Sequence, residues 1–254
     1  MAPPELADAK HTGPNSERAK IKARHFDRTY DDDIWIPETQ WDLLVRTSAR
    51  LDRAQTTIGH GNFNRVGLDD IIGFARNYHD IGQFDRDELQ LIEELFHADA
   101  KRYGFLGTKT TTSIVETLPE RDLTRIPGTG HWLLRGPSLE KYNQIRRDLG
   151  ESVLLTSGVR GLGKQYHLFL AKAVSTQGNL SRAARSLAPP GYSFHAVGDF
   201  DIGKLGFGSD NFTDRFAETD EFKMLIDLGY TDIRYPEENP FGVRHEPWHI
   251  KITA

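Results

Sequence analysis

Ser193-Phe194-His195-Ala196-Val197-Gly198-Asp199-Phe200-Asp201, read together with His245-Glu246-Pro247-Trp248-His249, is the stretch on which the reading of this chain turns. The two clusters bring imidazoles, carboxylates and a spare glutamate together. That is the donor set of a catalytic zinc, which takes three protein ligands, keeps one position open to water and works beside a base. A lone histidine among ten would be a weak signal, but here each cluster offers histidine with a carboxylate at short range. The first cluster leads into a strand. The second leads into another, Trp248 to Ile252, where Trp248, Ile250 and Ile252 alternate onto one apolar face. In an ideal strand, positions three apart face opposite sides, so Glu246 and His249 reach one metal only through a local irregularity, which Pro247 can supply.

Outward from these clusters the chain alternates helix and strand. Ser138 is placed to cap a helix carrying Leu139, Tyr142, Ile145 and Leu149, closed by Gly150. Ser152 to Thr156 is a short apolar strand running into Ser157-Gly158. A helix from about Gly163 to Val174 presents Tyr166, Phe169, Leu170 and Ala173, and a shorter one from Ser181 stops before Pro189-Pro190. Thr219 caps a helix bearing Phe222, Leu225 and Ile226 that Gly229 ends, and Asp232 to Tyr235 reads as a further strand. The Gly158, Gly161, Gly163 run lacks the Gly-Lys-Ser or Gly-Lys-Thr ending of a phosphate loop and reads as a turn presenting Arg160.

The first half is mainly helical. Leu43, Leu44, Thr47 and Leu51 share one face, Leu68, Ile71, Ile72 and Ala75 repeat the spacing, and Asp85 with Glu88 forms a capping box before a helix that Gly104 is placed to end. Residues 106–135 read as irregular with short strands around the Pro127-Gly128 turn. Residues 1–28 are poor in apolar side chains and read as a disordered or mobile tail. The expected organisation is α+β: a tail over 1–28, a mainly helical extension over 29–135, and over 136–254 a catalytic core built on a small antiparallel sheet with flanking helices.

Composition removes several function classes. The chain has 254 residues and no cysteine, which excludes disulfides, thiolate nucleophiles and Cys-held zinc. A net charge of -5 gives no basic field for nucleic acid. No apolar run reaches the length of a transmembrane segment, and Met1 to Arg28 has no apolar signal-peptide core.

The motifs resemble those of the zinc D-alanyl-D-alanine carboxypeptidases of the VanY and VanX type, in the superfamily that includes lysostaphin-like enzymes and the hedgehog signalling domain. That family carries Ser-x-His-x-x-Gly-x-Ala-x-Asp, then Glu-x-x-His, with an upstream Ser-Gly-x-Arg. Ser193, His195 and Gly198 match the first, Glu246, Trp248 and His249 the second, and Ser157-Gly158-Val159-Arg160 with Gln165 the third. The likeness runs from about Leu139 to the C-terminus. One departure stands out: the family places its ligand Asp seven residues after the His, where this chain has Ile202. Phe200-Asp201-Ile202 keeps the apolar-Asp-apolar signature, which a one-residue deletion after Gly198 explains. This favours Asp201, with Asp199 open as the rival ligand or as a partner orienting an imidazole.

The resemblance implies that His195, Asp201 and His249 ligate Zn2+, that Glu246 is the general base, and that Arg160 polarises the scissile carbonyl and stabilises the oxyanion. Ser193, Gln165 and Arg160 would bind substrate. Their plainer readings are a turn cap for Ser193 and an ion-paired turn residue for Arg160. His245 is an alternative ligand or a rim residue, and Tyr192 and His167 are pocket neighbours. The substrates implied are peptidoglycan stem peptides or muropeptides. Removal of a terminal D-alanine is the leading activity, an L,D-carboxypeptidase or cell-wall endopeptidase the runner-up, and a zinc-stabilised binding module the non-enzyme alternative. A periplasmic or exported location follows from the same resemblance.

Overall fold

The structure, a computed structural model, describes residues 14–252. The part of the expected tail over 1–13 lies outside these residues. From Pro14 onward the tail expectation is corrected, because Pro14–Arg24 forms helix α1. Apolar content, on which that expectation rested, is not what holds this helix. Lys22 bridges Asp32 at 2.6 Å and Asp33 at 3.2 Å, Arg24 pairs with Glu238, and Ala23 is buried.

Four helices follow: α2 (Trp41–Ile58), α3 (His60–Phe63), α4 (Leu68–Asn77) and α5 (Arg86–His97). Asp85 and Glu88 make the reciprocal capping box at the start of α5. Gly104 is left-handed, with φ of 81°, but it closes a separate 3-10 turn over Ala100–Tyr103, because the backbone at Ala98 is already extended. A short hairpin, β1 (Leu123–Arg125) and β2 (Trp132–Leu134), precedes α6 (Pro137–Leu149). Ser138 does not cap α6. Pro137 takes the first helical turn, and the Ser138 hydroxyl donates to the Gly198 carbonyl at 2.7 Å.

The remaining elements are β3 (Val153–Ser157), α7 (Leu162–Ser175), α8 (Leu180–Ala184), β4 (Phe200–Lys204), α9 (Asp220–Asp227) and β5 (His249–Ile250). Thr219 caps α9 through the Phe222 amide. Strands β3, β4 and β5 form an antiparallel sheet in that order. The expected strand over Asp232–Tyr235 shrinks to a bridge between Ile233 and Ile250.

The fold is α+β with two apolar cores. Helices α2, α4, α5, α7 and α8 enclose a helical core that includes Leu44, Phe63, Ile71, Phe96 and Phe169. The hairpin, α6, the three-stranded sheet and α9 enclose a sheet core with Leu133, Ile145, Leu155, Phe200 and Leu225. Packing therefore does not divide at 135/136: α7 and α8 belong to the helical core, and Leu133 of β2 to the sheet core. Among the described residues, no helix is long and apolar enough to cross a membrane.

Candidate metal centre

Sheet register builds the site. Asp201 on β4 pairs directly across from His249 on β5, and a shift in the β3–β4 register sets Ser157 opposite Asp201. His195 comes from the 3-10 turn Phe194–Ala196 just before β4. Potential ligand atoms of His195, Asp201 and His249 all lie within 4.8 Å of one another, and all three residues are buried.

Each imidazole has one nitrogen tied off and the other turned inward. His195 donates from Nδ1 to the Gly158 carbonyl at 2.8 Å, leaving Nε2 3.3 Å from Asp201 Oδ1. His249 donates from Nε2 to Asp199 Oδ2 at 3.0 Å, leaving Nδ1 3.6 Å from that same Asp201 oxygen. Asp201 Oδ1 is buried with no hydrogen-bond partner. A bare carboxylate oxygen in the interior costs free energy unless a cation compensates it. With two imidazole nitrogens facing it, this donor set suits a zinc ion.

The two aspartates are engaged differently. Asp199 accepts from Arg234 Nε at 2.7 Å and Nη2 at 2.9 Å and from the Ile252 amide at 2.9 Å, besides orienting His249. Its lone pairs are used. Oriented carboxylate–histidine pairs of this kind fix the tautomer and ring position of a metal-binding imidazole.

The irregularity at Pro247 is a turn. The His249 amide donates to the Glu246 carbonyl at 3.1 Å, which places Pro247 at the second position of the turn, where its fixed φ suits the chain. Glu246 Oε2 thereby reaches 3.2 Å from His249 Nδ1. Trp248 is buried in the sheet core and also forms part of the cavity wall.

Arg160 points into the same space, with Nη2 3.6 Å from Asp201 Oδ2 and donating to Ser157 Oγ at 3.2 Å. Its segment is clamped by the first half of the chain. The Val159 amide donates to Trp132 O at 2.7 Å, the Gly161 amide to Asn64 O at 2.7 Å, and Trp132 Nε1 to Gly61 O at 3.0 Å. A Cβ at Gly158 would stand 2.0 Å from the Trp132 carbonyl, so this approach requires glycine.

Proton affinities follow the charges. Burial alone would raise Asp201, but His195, His249 and Arg160 outweigh it and hold the carboxyl at about 2. Burial opposes protonation of His249, yet its hydrogen bonds to Asp199 and Glu246 raise it to about 9. Burial and nearby Arg160 push His195 down. Burial likewise drives His131 down to about 4, which keeps it neutral.

The centre opens into a cavity of about 570 Å³ between the two cores. Ser193 and Arg160 both line it. Gln165 is not part of the wall itself: it is buried, and its side-chain amide donates to the carbonyl of Ala188, a wall residue, so it supports the wall from beneath. His167 faces Asp52 at 3.3 Å, Tyr192 packs edge-on against Phe105, and His245 faces Asp214 at 3.1 Å, so none of these forms part of the wall. Sequence reasoning missed His60, Asn64, His131, Lys164, Tyr235 and Arg244, all of which line it. No spacing marks them, since chain folding alone brings them together.

Residues 137–254 match the family model described as VanY: D-alanyl-D-alanine carboxypeptidase. No curated protein matches the chain. Among solved structures, the LdcB LD-carboxypeptidase is 22% identical with a TM-score of 0.43, over 51% of this chain and 67% of that one. A mutant of the vancomycin-resistance D,D-pentapeptidase VanY from a VanB-type cassette, in complex with Zn(II), is 24% identical with a TM-score of 0.40, over 53% and 81%. VanYB in complex with D-alanine-D-alanine is 24% identical with a TM-score of 0.42, over 52% and 77%.

Proposed function

We propose that the chain is a zinc-dependent peptidase of peptidoglycan stem peptides that releases a terminal D-alanine, a reading supported by the match of residues 137–254 to the VanY D-alanyl-D-alanine carboxypeptidase family model. The observation that carries the reading is the buried Asp201 oxygen, without a hydrogen-bond partner, facing inward-turned nitrogens of His195 and His249. In this reading His195, Asp201 and His249 hold the zinc. When bound, the metal supplies a Lewis acid and brings the pKa of water to about 7.

The chain's own residues divide the remaining work. Glu246 accepts the proton of the attacking water at its carboxylate and returns it to the leaving amine. Arg160, half-buried on the cavity wall and held by backbone bonds at Val159 and Gly161 on either side, presents a fixed cation to the charge developing on the carbonyl oxygen, an effect worth about 3 to 4 kcal/mol for one such donor. Ser193 contacts the peptide from the cavity wall. The proposed substrate places the protein outside the cytoplasm.

Digestion of purified muropeptides with and without a chelator tests the activity, with products read by mass spectrometry. Loss of a terminal D-alanine from pentapeptides, abolished by chelation, is the expected result. Loss of the next residue from tetrapeptides would mark an L,D-carboxypeptidase, opened cross-links an endopeptidase, and zinc binding without any product a binding module. E246A should keep its zinc by atomic absorption and lose turnover by at least about a hundredfold. An active E246A protein would refute the assigned base.

A further inference from the structure

Helix α7 turns different faces to two environments. Leu162, Tyr166, Phe169, Leu170 and Ala173 enter the helical core, while Lys164, Leu168 and Lys172, spaced four apart, line the cavity. At 1.5 Å rise per residue, the two lysines stand about 12 Å apart along the helix axis. Lys164 donates to the side-chain carbonyl of Gln55. Among the described residues, neither lysine makes an ion pair.

The cavity's own carboxylates are engaged elsewhere. Asp201 faces the two imidazoles and Arg160, and Glu246 faces His249. Arg244 adds a third cation to this wall, stacked 4.9 Å from the centre of the Trp248 ring, with its Nε buried and unpaired in hydrogen bonding, 3.9 Å from Glu246. Burial pulls Lys164 down to about 8 and lowers Lys172 as well. Lys164 has only the exposed Asp52 carboxylate at longer range, and Lys172 faces the cations Arg244 and Arg182; partly buried ammonium groups without a close counter-charge are costly unless a ligand brings one.

We propose that Lys164 and Lys172 form a carboxylate-binding subsite that selects peptides carrying an acidic group upstream of the scissile bond. The proposal rests on the peptidase reading and names part of its substrate. A span of about 12 Å corresponds to three or four extended residues, so one bound peptide can run along α7 and meet both lysines. Leu168, between them, offers an apolar contact to the intervening chain.

The test uses two synthetic peptides ending in D-alanyl-D-alanine, identical except that a carboxylate two or three residues before the scissile bond is a carboxamide in one. Binding is measured by calorimetry on the zinc-loaded full-length E246A protein, and hydrolysis on the unmutated protein. The carboxylate peptide should bind at least about tenfold tighter. In the K164M/K172M background that preference should fall to within about twofold, and K164R/K172R should restore most of it. Equal binding of the two peptides, or a preference that survives K164M/K172M, overturns the subsite. Preferential binding with no hydrolysis by the unmutated protein would instead count against the peptidase reading and leave the subsite standing.

Discussion

The helical core and the sheet core contribute to the site in different ways. In the sheet core, strand pairing fixes the candidate ligands: Asp201 faces His249 across β4 and β5, and His195 precedes β4 by one turn. The helical core supplies none of the three side chains, although Phe194, beside His195 in its turn, packs into it. It gives instead one wall of the cavity and, through the Asn64 and Gly61 carbonyls, a brace for the Arg160 segment and for Trp132. Chemistry concentrated in a few side chains close in sequence leaves a motif, whereas a brace built from backbone carbonyls and a wall gathered from distant positions do not.

The strongest challenge to this division is to remove the first half. A fragment of residues 136–254 keeps every candidate ligand but uncovers Leu162, Tyr166, Phe169, Leu170 and Ala173 of α7 and loses the hairpin that bears Leu133. Several large apolar side chains lose their partners at once, at about 1.5 to 3 kcal/mol each. The fragment should fail to fold cooperatively and should aggregate, as circular dichroism and sedimentation would show. A monodisperse fragment that binds zinc would make the helical half an appended domain after all.

A matched pair of cavities sharpens the contrast. Phe63 in the helical core and Phe200 in the sheet core are both fully buried, and truncation of either to alanine should cost about 3 to 5 kcal/mol in denaturant unfolding. Only F200A should also weaken zinc binding, because Phe200 sits between Asp199 and Asp201 on the strand that positions them. Equal loss of zinc affinity in F63A would mean that both cores set the ligand geometry. Within the sheet core, D199N should weaken zinc about 10- to 100-fold, the usual effect of removing a carboxylate that orients a ligand histidine. Unchanged zinc affinity in a zinc titration of D199N would remove that orienting role.

The sheet half was the more legible of the two in sequence. A short apolar run marked β3 and alternating apolar residues marked β5, the Thr219 cap was read from its position, and Pro247 pointed to the turn that swings Glu246 toward His249. Sequence left Asp199 and Asp201 as rivals because both lie near His195 in the chain. What separates their environments is Arg234, which clamps Asp199 from 35 residues away, a contact no local pattern encodes. Gln165 stands next to the wall rather than in it, because its side chain is taken up by the Ala188 carbonyl, a partner 23 residues away that its motif does not encode. Helix α1 was missed because ion pairs, not apolar spacing, attach it.

The smallest expected effect comes from that attachment. Buried Asp33 accepts from Asn179, Arg185, Lys22 and the Tyr30 amide, tying the chain after α1 to α8. Burial would raise its pKa, but the hydrogen bonds from Asn179 and Arg185 win and hold it below the ordinary carboxylate value. A depressed folded-state pKa means that the stabilisation is complete above the unfolded value, about 3.9, and is lost as pH falls through the lower folded one. The local reporter is the pairing of the Leu180 amide with the Ile34 carbonyl at 2.9 Å. Between pH 5 and pH 3, hydrogen exchange at Leu180 should lose protection relative to amides of the helical core, after correction for the intrinsic exchange rate. Protection that stays constant to pH 3 would show that α1 and its neighbouring loop are held without the Asp33 charge, and that the helical core extends to them by packing alone.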